Sequence, residues 1–308
     1  TLAFVQEALD YSVRSADEVE GLVGLPSLAV IPASGSVPAR QYPLTKANSN
    51  GHRNGAVALT VLKNPTSALA ESYRTLRTSI LLSTAARPPQ VLLLTSAHPG
   101  EGKTTTALNL SMALAQRGSR VLVVDADLRK PGVAAALGLP NDKGLSSVLT
   151  GAHSAEDALQ RIEAAPSLWV LTSGPRPPNP AELLSSPSMA DLLAELRTHF
   201  DHVVLDSPPS LLLTDATVLT TLADGVLLVV ETGVTARGAL IRARRTLQAA
   251  GGRLLGVVMN KADIRRDEGY GYYHYHRYYR SGYDYFSDNI SPAPASSEET
   301  APVSKVHG

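Results

Sequence analysis

Between Val91 and Thr106 the chain reads V-L-L-L-T-S-A-H-P-G-E-G-K-T-T-T, an apolar run leading into a glycine-rich loop that ends in Lys and Thr. That loop is suited to phosphate. Glycines let backbone N–H groups approach phosphate oxygens, Lys103 reaches the terminal phosphates, and the Thr104 hydroxyl is a ligand for Mg²⁺. The pattern G-x-x-x-x-G-K-[ST] is met except at its first position, where Ala97 stands and fits without strain only at negative φ. Two further apolar runs end in acids. Val121–Val124 leads into D-A-D-L-R (Asp125, Asp127, Arg129), and Val203–Leu205 into D-S-P-P (Asp206, Pro208, Pro209). Runs bounded this way read as buried strands of a parallel sheet whose C-terminal ends converge on a ligand. Three carboxylates then reach the mouth of the phosphate loop. Mg²⁺ takes oxygen ligands and keeps several waters, so a hydroxyl with one or two carboxylates beside a nucleotide suits it. Capping of the following helices is the plainer role for the same acids.

The elements that must position these residues alternate. A helix over Ser67–Ser83 precedes a strand at Val91–Thr95, and a helix over Lys103–Arg117 stops at Gly118 before a strand at Arg120–Asp125. An apolar stretch at Leu168–Leu171 and a helix near Ser188–Thr198 follow. Then come strands at Val203–Asp206 and Gly225–Glu231, a helix over Ala236–Ala250 and a strand at Leu254–Asn260. This spacing predicts an α/β fold of the P-loop NTPase type, a mostly parallel sheet with helices on both faces. Helical spacing over Phe4–Val23, broken at Ser12–Ser15 with an N-cap at Ser15, predicts N-terminal helices. The organisation read from these signals is an N-terminal segment (1–32), a Ser-, Pro-, Asn- and Gly-rich linker (33–56), a catalytic domain (57–265), a tyrosine cluster (266–286) and a disordered tail (287–308).

Composition narrows the function classes. Of 308 residues, 28 are Lys or Arg and 28 are Asp or Glu, so no global field recruits a polyanion. The absence of cysteine removes disulfides, thiolate metal ligands and a cysteine nucleophile, and it agrees with a reducing compartment. No apolar run reaches the roughly 20 residues of a membrane span. Tyr270, Tyr272, Tyr273, Tyr275, Tyr278, Tyr279, Tyr283 and Tyr285 supply eight of eleven tyrosines, with Gly, His and Arg between them and no helical or strand period.

The phosphate loop, the run ending D-x-D-x-R and the run ending D-S-P-P together resemble the bacterial tyrosine kinases that control capsule and exopolysaccharide export. The resemblance extends to E-S-Y-R-T-L-R (Glu71, Arg74, Arg77), to Gly144–Gly151, to P-P-N-P-A-E-L-L-S-S from Pro177 and to the tyrosine-rich tail. It implies an ATP- and Mg²⁺-dependent protein-tyrosine autokinase gripping nucleotide through Pro99, Gly100, Glu101, Gly102, Lys103, Thr104 and Thr105. Thr104 would bind Mg²⁺ directly, with Asp127 and Asp206 holding it through waters. Asp125 stands where the family has its candidate base, and a role in ordering metal waters fits it equally. A phenol has a pKa of about 10, which makes a carboxylate beside the metal a workable proton acceptor. Asn260, in the G-V-V-M-N-K that ends the last strand (Gly256–Lys261), either meets the adenine or forms a turn after its strand.

Glu71, Arg74 and Arg77 recur every three residues on one helix face, which is either a solvated charged face or, by resemblance, the contact of a ring homo-oligomer. The resemblance also implies a membrane chain-length regulator, fused upstream or separate, as activator, and a tyrosine phosphatase that reverses the reaction. Residues 15–32 resemble the segment that follows the last transmembrane helix where regulator and kinase are fused; a helix packed on the core is the other reading. The chain begins at Thr1 without Met, and the expectation is a cytoplasmic protein held at the inner face of the cell membrane by a segment outside this chain. For the tail, a nucleic-acid reading would stack bases on tyrosines with Arg265, Arg266, Arg277 and Arg280 between them, and a self-association reading would use it as an adhesive. The substrate reading is preferred because the linked domain carries the site that would modify it, so no nucleic-acid partner is expected. The competing class is a chromosome-partitioning or division-site ATPase, whose loop carries a first lysine where His98 stands here. A nucleotide-binding regulator without turnover is the third reading.

Overall fold

The computed structural model describes residues 11–34, 59–84 and 87–263. The Ser15 hydroxyl accepts the Glu18 N–H at 3.2 Å and starts helix α1 (Ala16–Val23), where an N-cap was expected. Strand β1 (Ser27–Pro32) follows. Beyond α2 (Thr60–Lys63), Ser67 caps α3 (Ala68–Leu82), and the core continues with β2 (Val91–Ser96), α4 (Lys103–Ala115) and β3 (Val121–Asp125). The short helices α5 (Val133–Leu137), α6 (Leu145–Leu149) and α7 (Ala155–Ala158) lead to β4 (Leu159–Ile162) and β5 (Ala165–Leu171). Then come α8 (Pro180–Leu184), α9 (Pro187–His199), β6 (His202–Asp206), α10 (Asp215–Thr220), β7 (Gly225–Glu231), α11 (Arg237–Ala249) and β8 (Leu254–Ala262).

The strands form one sheet in the order β1-β8-β7-β2-β6-β3-β5-β4, parallel throughout except where β4 runs against β5. Side-chain alternation splits its core in two. Val91 and Leu93 face one layer with α1, α9 and α11, represented by Val19, Leu193 and Leu240, while Leu92 and Leu94 face the other with α3 and α4, represented by Leu76 and Leu108. The result is the expected parallel α/β sandwich, with helices on both faces. Every expected strand is present, and β1 and β4 are additional. β1 is bracketed by Pro26 and Pro32, which reads as a turn in sequence, yet an edge strand tolerates proline at its ends. β4 is only partly buried and has no apolar run to announce it. Residues 4–10 of the expected first helix, most of the linker and the whole tyrosine cluster lie outside the described residues. Among the described residues no helix is long and apolar enough to cross a membrane.

The sheet's N-terminal edge is tied down by one carboxylate. Asp224 accepts the Gln90 and Val91 N–H groups at 3.0 and 2.7 Å and a two-pronged bond from Arg197 of α9, at 2.8 Å on each oxygen. Burial alone raises its pKa, but Arg197 and the backbone donors outweigh burial and hold it below the ordinary carboxylate range. A depressed folded-state pKa contributes stability above the unfolded value of about 3.9 that is lost as pH falls through the folded one. Asp224→Asn is therefore expected to lower the urea midpoint at neutral pH and to flatten the acid limb of stability below about pH 4. Denaturation curves from pH 7 to pH 2.5 measure both.

Candidate active site

The phosphate loop fills the gap between the end of β2 and the start of α4. Gly100 and Gly102 take φ of 87° and 94°, a region that disfavours side chains, and a Cβ on Gly102 would lie 1.9 Å from Asn260 Nδ2. Ala97 is buried at negative φ, so the departure from glycine there introduces no strain. Lys103 opens α4, whose free N-terminal N–H groups face the loop, the arrangement that binds anions.

The ends of β7 and β8 brace the loop from one side. Asn260 Nδ2 donates to the Glu101 carbonyl at 2.9 Å, and Lys261 Nζ donates to the Gly100 carbonyl at 2.7 Å while pairing with Glu231 at 2.8 Å. Lys261 is the non-glycine residue at positive φ (56°) among those described, a backbone state that side chains rarely adopt. Sequence reasoning gave no role to Lys261, Glu231 or Thr235; only the first lies in a motif it singled out. Asn260 is thus engaged with the loop through its Nδ2, and it also lines a cavity of about 220 Å³ with Ile31, Leu69, Tyr73, Thr105 and Lys261.

Opposite the brace stand the acids. Asp125 and Asp206 are register partners on β3 and β6, and both are buried. Asp125 Oδ2 accepts the Gly132 and Val133 N–H groups at 3.1 and 3.0 Å, whereas its Oδ1 and both oxygens of Asp206 have no hydrogen-bond partner. Burial, reinforced by the neighbouring Asp206, pushes Asp125 up to about 8. Burial likewise raises Asp206 to about 6, offset in part by the Thr104 hydroxyl, close but outside good hydrogen-bond geometry, and by the Lys103 ammonium. Asp127 is also raised by burial, against the Lys130 N–H that it accepts at 2.9 Å and the charge of Lys103. Carboxylates whose ionisation is opposed by burial and by neighbouring acids form a site short of positive charge. Orphaned oxygens beside the Thr104 hydroxyl fit a hard cation. No group of three or more His, Cys, Asp or Glu able to hold a metal occurs among the described residues, and a metal that keeps waters and phosphate ligands needs none.

The arginine of D-A-D-L-R has a partner that sequence did not offer. Arg129 donates from Nε and Nη2 to Asp215 at 2.7 and 3.0 Å, and Asp215 is fully buried at the start of α10. This bidentate bond ties the loop after β3, which carries Asp127, to the segment after D-S-P-P. On α3, Arg74 pairs with Glu71 at 2.6 Å and also reaches the Pro65 carbonyl, while Arg77 donates to the Ala113 carbonyl at 2.9 Å. All three therefore have partners within the chain. The tyrosines from Tyr270 to Tyr285 lie outside the described residues.

A family model described as an AAA domain matches residues 90–250. The chain is 43% identical over 230 residues to the tyrosine-protein kinase YwqD of Bacillus subtilis, covering 75% of this chain and 95% of that protein. It is 33% identical over 284 residues to the putative tyrosine-protein kinase EpsB of Ralstonia nicotianae, covering 91% of this chain and 37% of EpsB. Among solved structures, the kinase domain of the Escherichia coli tyrosine kinase ETK resembles it at a TM-score of 0.73 and 29% identity, over 83% of this chain and 98% of that one.

The raised carboxylates make a stability prediction. A carboxyl group whose folded-state pKa lies above the unfolded value favours folding least once it must ionise, so stability is lost as pH rises toward the folded value. With Asp206 at about 6 and Asp125 at about 8, the nucleotide-free protein is expected to lose thermal stability between pH 5 and pH 8. Asp125→Asn should flatten that slope, and Mg²⁺-nucleotide should restore the midpoint at pH 8. Scanning calorimetry at both pH values, with and without Mg²⁺-ADP, measures it.

Proposed function

Because the chain belongs to the bacterial tyrosine-protein kinases, on an AAA domain, we infer that its acceptors are tyrosines of its own C-terminal segment, Tyr270 to Tyr285. The protein is a tyrosine-protein kinase. The donor is ATP, taken up with Mg²⁺. The observation that carries this reading is the meeting of Lys103 at the head of α4 with the Asp125 and Asp206 pair, whose three unpartnered oxygens call for a cation beside phosphate.

Phosphoryl transfer asks the protein to grip phosphates, neutralise their charge and align an acceptor oxygen. The Gly100–Thr105 backbone and the α4 N-terminus grip; Lys103 sets a positive charge at the terminal phosphate. Mg²⁺, when bound, supplies further neutralisation of the transferring group. Thr104 would hold it directly and Asp206 and Asp127 through waters. Asp125, drawn into its ionised form beside the bound cation, would take the phenol proton at its unpartnered Oδ1, while Oδ2 is fixed by two backbone donors. The cavity flanked by Tyr73 and Asn260 adjoins the loop and has the mixed apolar and amide lining that a purine needs, with Asn260 Oδ1 left to meet it.

Transfer in trans within a ring homo-oligomer completes the proposal. Glu71, Arg74 and Arg77 lie on one face of α3, and Glu71 and Arg74 remain partly exposed despite their mutual pairing, so they are open to a neighbour. Regulation of exopolysaccharide or capsule synthesis and export, at the cytoplasmic face of a membrane, is the setting. A membrane chain-length regulator as activator and a tyrosine phosphatase are the partners. The chain spans about a third of EpsB, which leaves room in such relatives for further segments.

Lys103→Met is expected to cut autophosphorylation by at least about 10²-fold, since it removes charge stabilisation rather than packing. Mass spectrometry for phosphotyrosine after incubation with Mg²⁺-ATP, alongside an unchanged circular dichroism spectrum, measures this; undiminished phosphotyrosine sinks the assignment. For the ring, Glu71→Ala with Arg74→Ala and Arg77→Ala should shift light-scattering mass toward monomer and depress phosphorylation between subunits. A parent that runs at monomer mass excludes the ring, and a variant that keeps the parent's oligomeric mass excludes these residues as its contact, either outcome leaving the kinase intact.

A further inference from the structure

A carboxylate within a phosphate loop is an electrostatic liability, and this loop contains Glu101, 2% exposed, between the two positive-φ glycines. A buried anion is tolerable when it is turned away from other anions and fully hydrogen-bonded. Both of its oxygens are engaged. Oε2 accepts the His98 N–H at 2.8 Å inside the loop, and Oε1 accepts the hydroxyl of Thr235, from the turn between β7 and α11. Thr235 is itself 1% exposed, and the Glu231 N–H donates to its Oγ1 at 2.9 Å, so the hydroxyl hydrogen is left for Glu101. The turn is fixed in place. Val13 N–H donates to the Thr235 carbonyl, Gly233 N–H to the Val13 carbonyl and Arg237 N–H to the Tyr11 carbonyl, each at 2.8 Å.

We propose that Thr235 is a positioning residue for nucleotide binding: its hydroxyl holds the Glu101 carboxylate away from the phosphate site, so a residue far from the loop motif sets the loop's affinity for phosphate. The proposal rests on the reading of this loop as the nucleotide grip. Asn260 and Lys261 hold loop carbonyls and fix its path; among the described residues outside the loop, Thr235 holds the side chain that carries the adverse charge. Without the hydroxyl, Oε1 becomes a buried anion lacking a donor. Rotation toward the loop mouth then relieves it, at the expense of the His98 bond and in repulsion of incoming phosphate.

The test uses the full chain and Mg²⁺-ADP as probe, titrated by calorimetry into the parent protein, Thr235→Val, Thr235→Ser, Glu101→Gln and the double variant Glu101→Gln with Thr235→Val. Thr235→Val, which keeps the shape and removes the hydroxyl, should weaken binding about tenfold, the scale of a lost hydrogen bond to a charged group. The loss should fall on affinity more than on turnover at saturating ATP. Thr235→Ser should restore binding to within about threefold of the parent, and in the Glu101→Gln background the valine substitution should cost less than about threefold, because the charge is gone. In nucleotide-free protein, Thr235→Val should also speed hydrogen exchange at the His98 amide. Parent affinity in a folded Thr235→Val protein overturns the proposal, as does an equal loss in the Glu101→Gln background or unchanged exchange at His98. Should Thr235→Val fail to fold, Thr235→Ala is read by the same comparisons. A folded parent that does not bind Mg²⁺-ADP overturns the nucleotide reading itself, and this proposal with it.

Discussion

Two buried carboxylates on adjacent strands, with three oxygens lacking a donor, impose the constraint from which the rest of the site follows. Asp125 and Asp206 are brought together by sheet register, so they cannot separate without breaking the β3–β6 ladder. Burial raises the pKa of both, and the Asp206 charge raises that of Asp125 further, while Lys103 and Thr104 offset only part of this at Asp206. A site built this way is short of positive charge, so on the proposed reading nucleotide and metal would bind as one electrostatic event. Arg129 is not free to supply that charge, because Asp215 holds it in a two-pronged bond.

Opposite the acids, the same requirement acts on backbone. A phosphate loop must present N–H groups inward, which turns its carbonyls outward and leaves them to be satisfied elsewhere. Asn260 and Lys261 take the carbonyls of Glu101 and Gly100, and Lys261 adopts a left-handed backbone at the end of β8. Strain of that kind is retained where surrounding contacts over-determine it, and here Glu231 anchors the far side of the lysine. The loop is therefore a structure shared between β2, α4 and the ends of β7 and β8.

What was legible in the sequence divides along the same line. Apolar runs ending in Gly-x-Gly-Lys-Thr or in Asp name the strands, the loop and the acids at the strand ends, because those signals are local. The expected strands are found, and Ser15 caps its helix as its position indicates, while Ser67, expected as a helix's first residue, caps that helix. Thr235, Glu231 and Asp215 were illegible for the opposite reason: each acts on a residue far away in the chain, and nothing in its own neighbourhood marks it. β1 was hidden by its flanking prolines, which are turn signals in sequence and harmless at a sheet edge. Glu101 was legible as a loop residue, but its restraint required the fold.

The described N-terminal residues belong to the catalytic unit rather than decorating it. β1 pairs with β8 along its length, and residues 31–34 wall the cavity beside the loop. Tyr11 and Val13 meanwhile bind the turn that carries Thr235. Without β1, β8 would become the sheet's edge, with a row of backbone groups unpaired at the strand whose last residues brace the phosphate loop. Asn260 and Lys261 would then hang from a frayed edge, and Gly100 and Glu101 would lose the partners that fix their carbonyls. A change in residues 11–34 is thus transmitted to the phosphate loop by two separate routes, the β1–β8 ladder and the Val13–Thr235 bond. Neither route requires the segment to touch nucleotide phosphates.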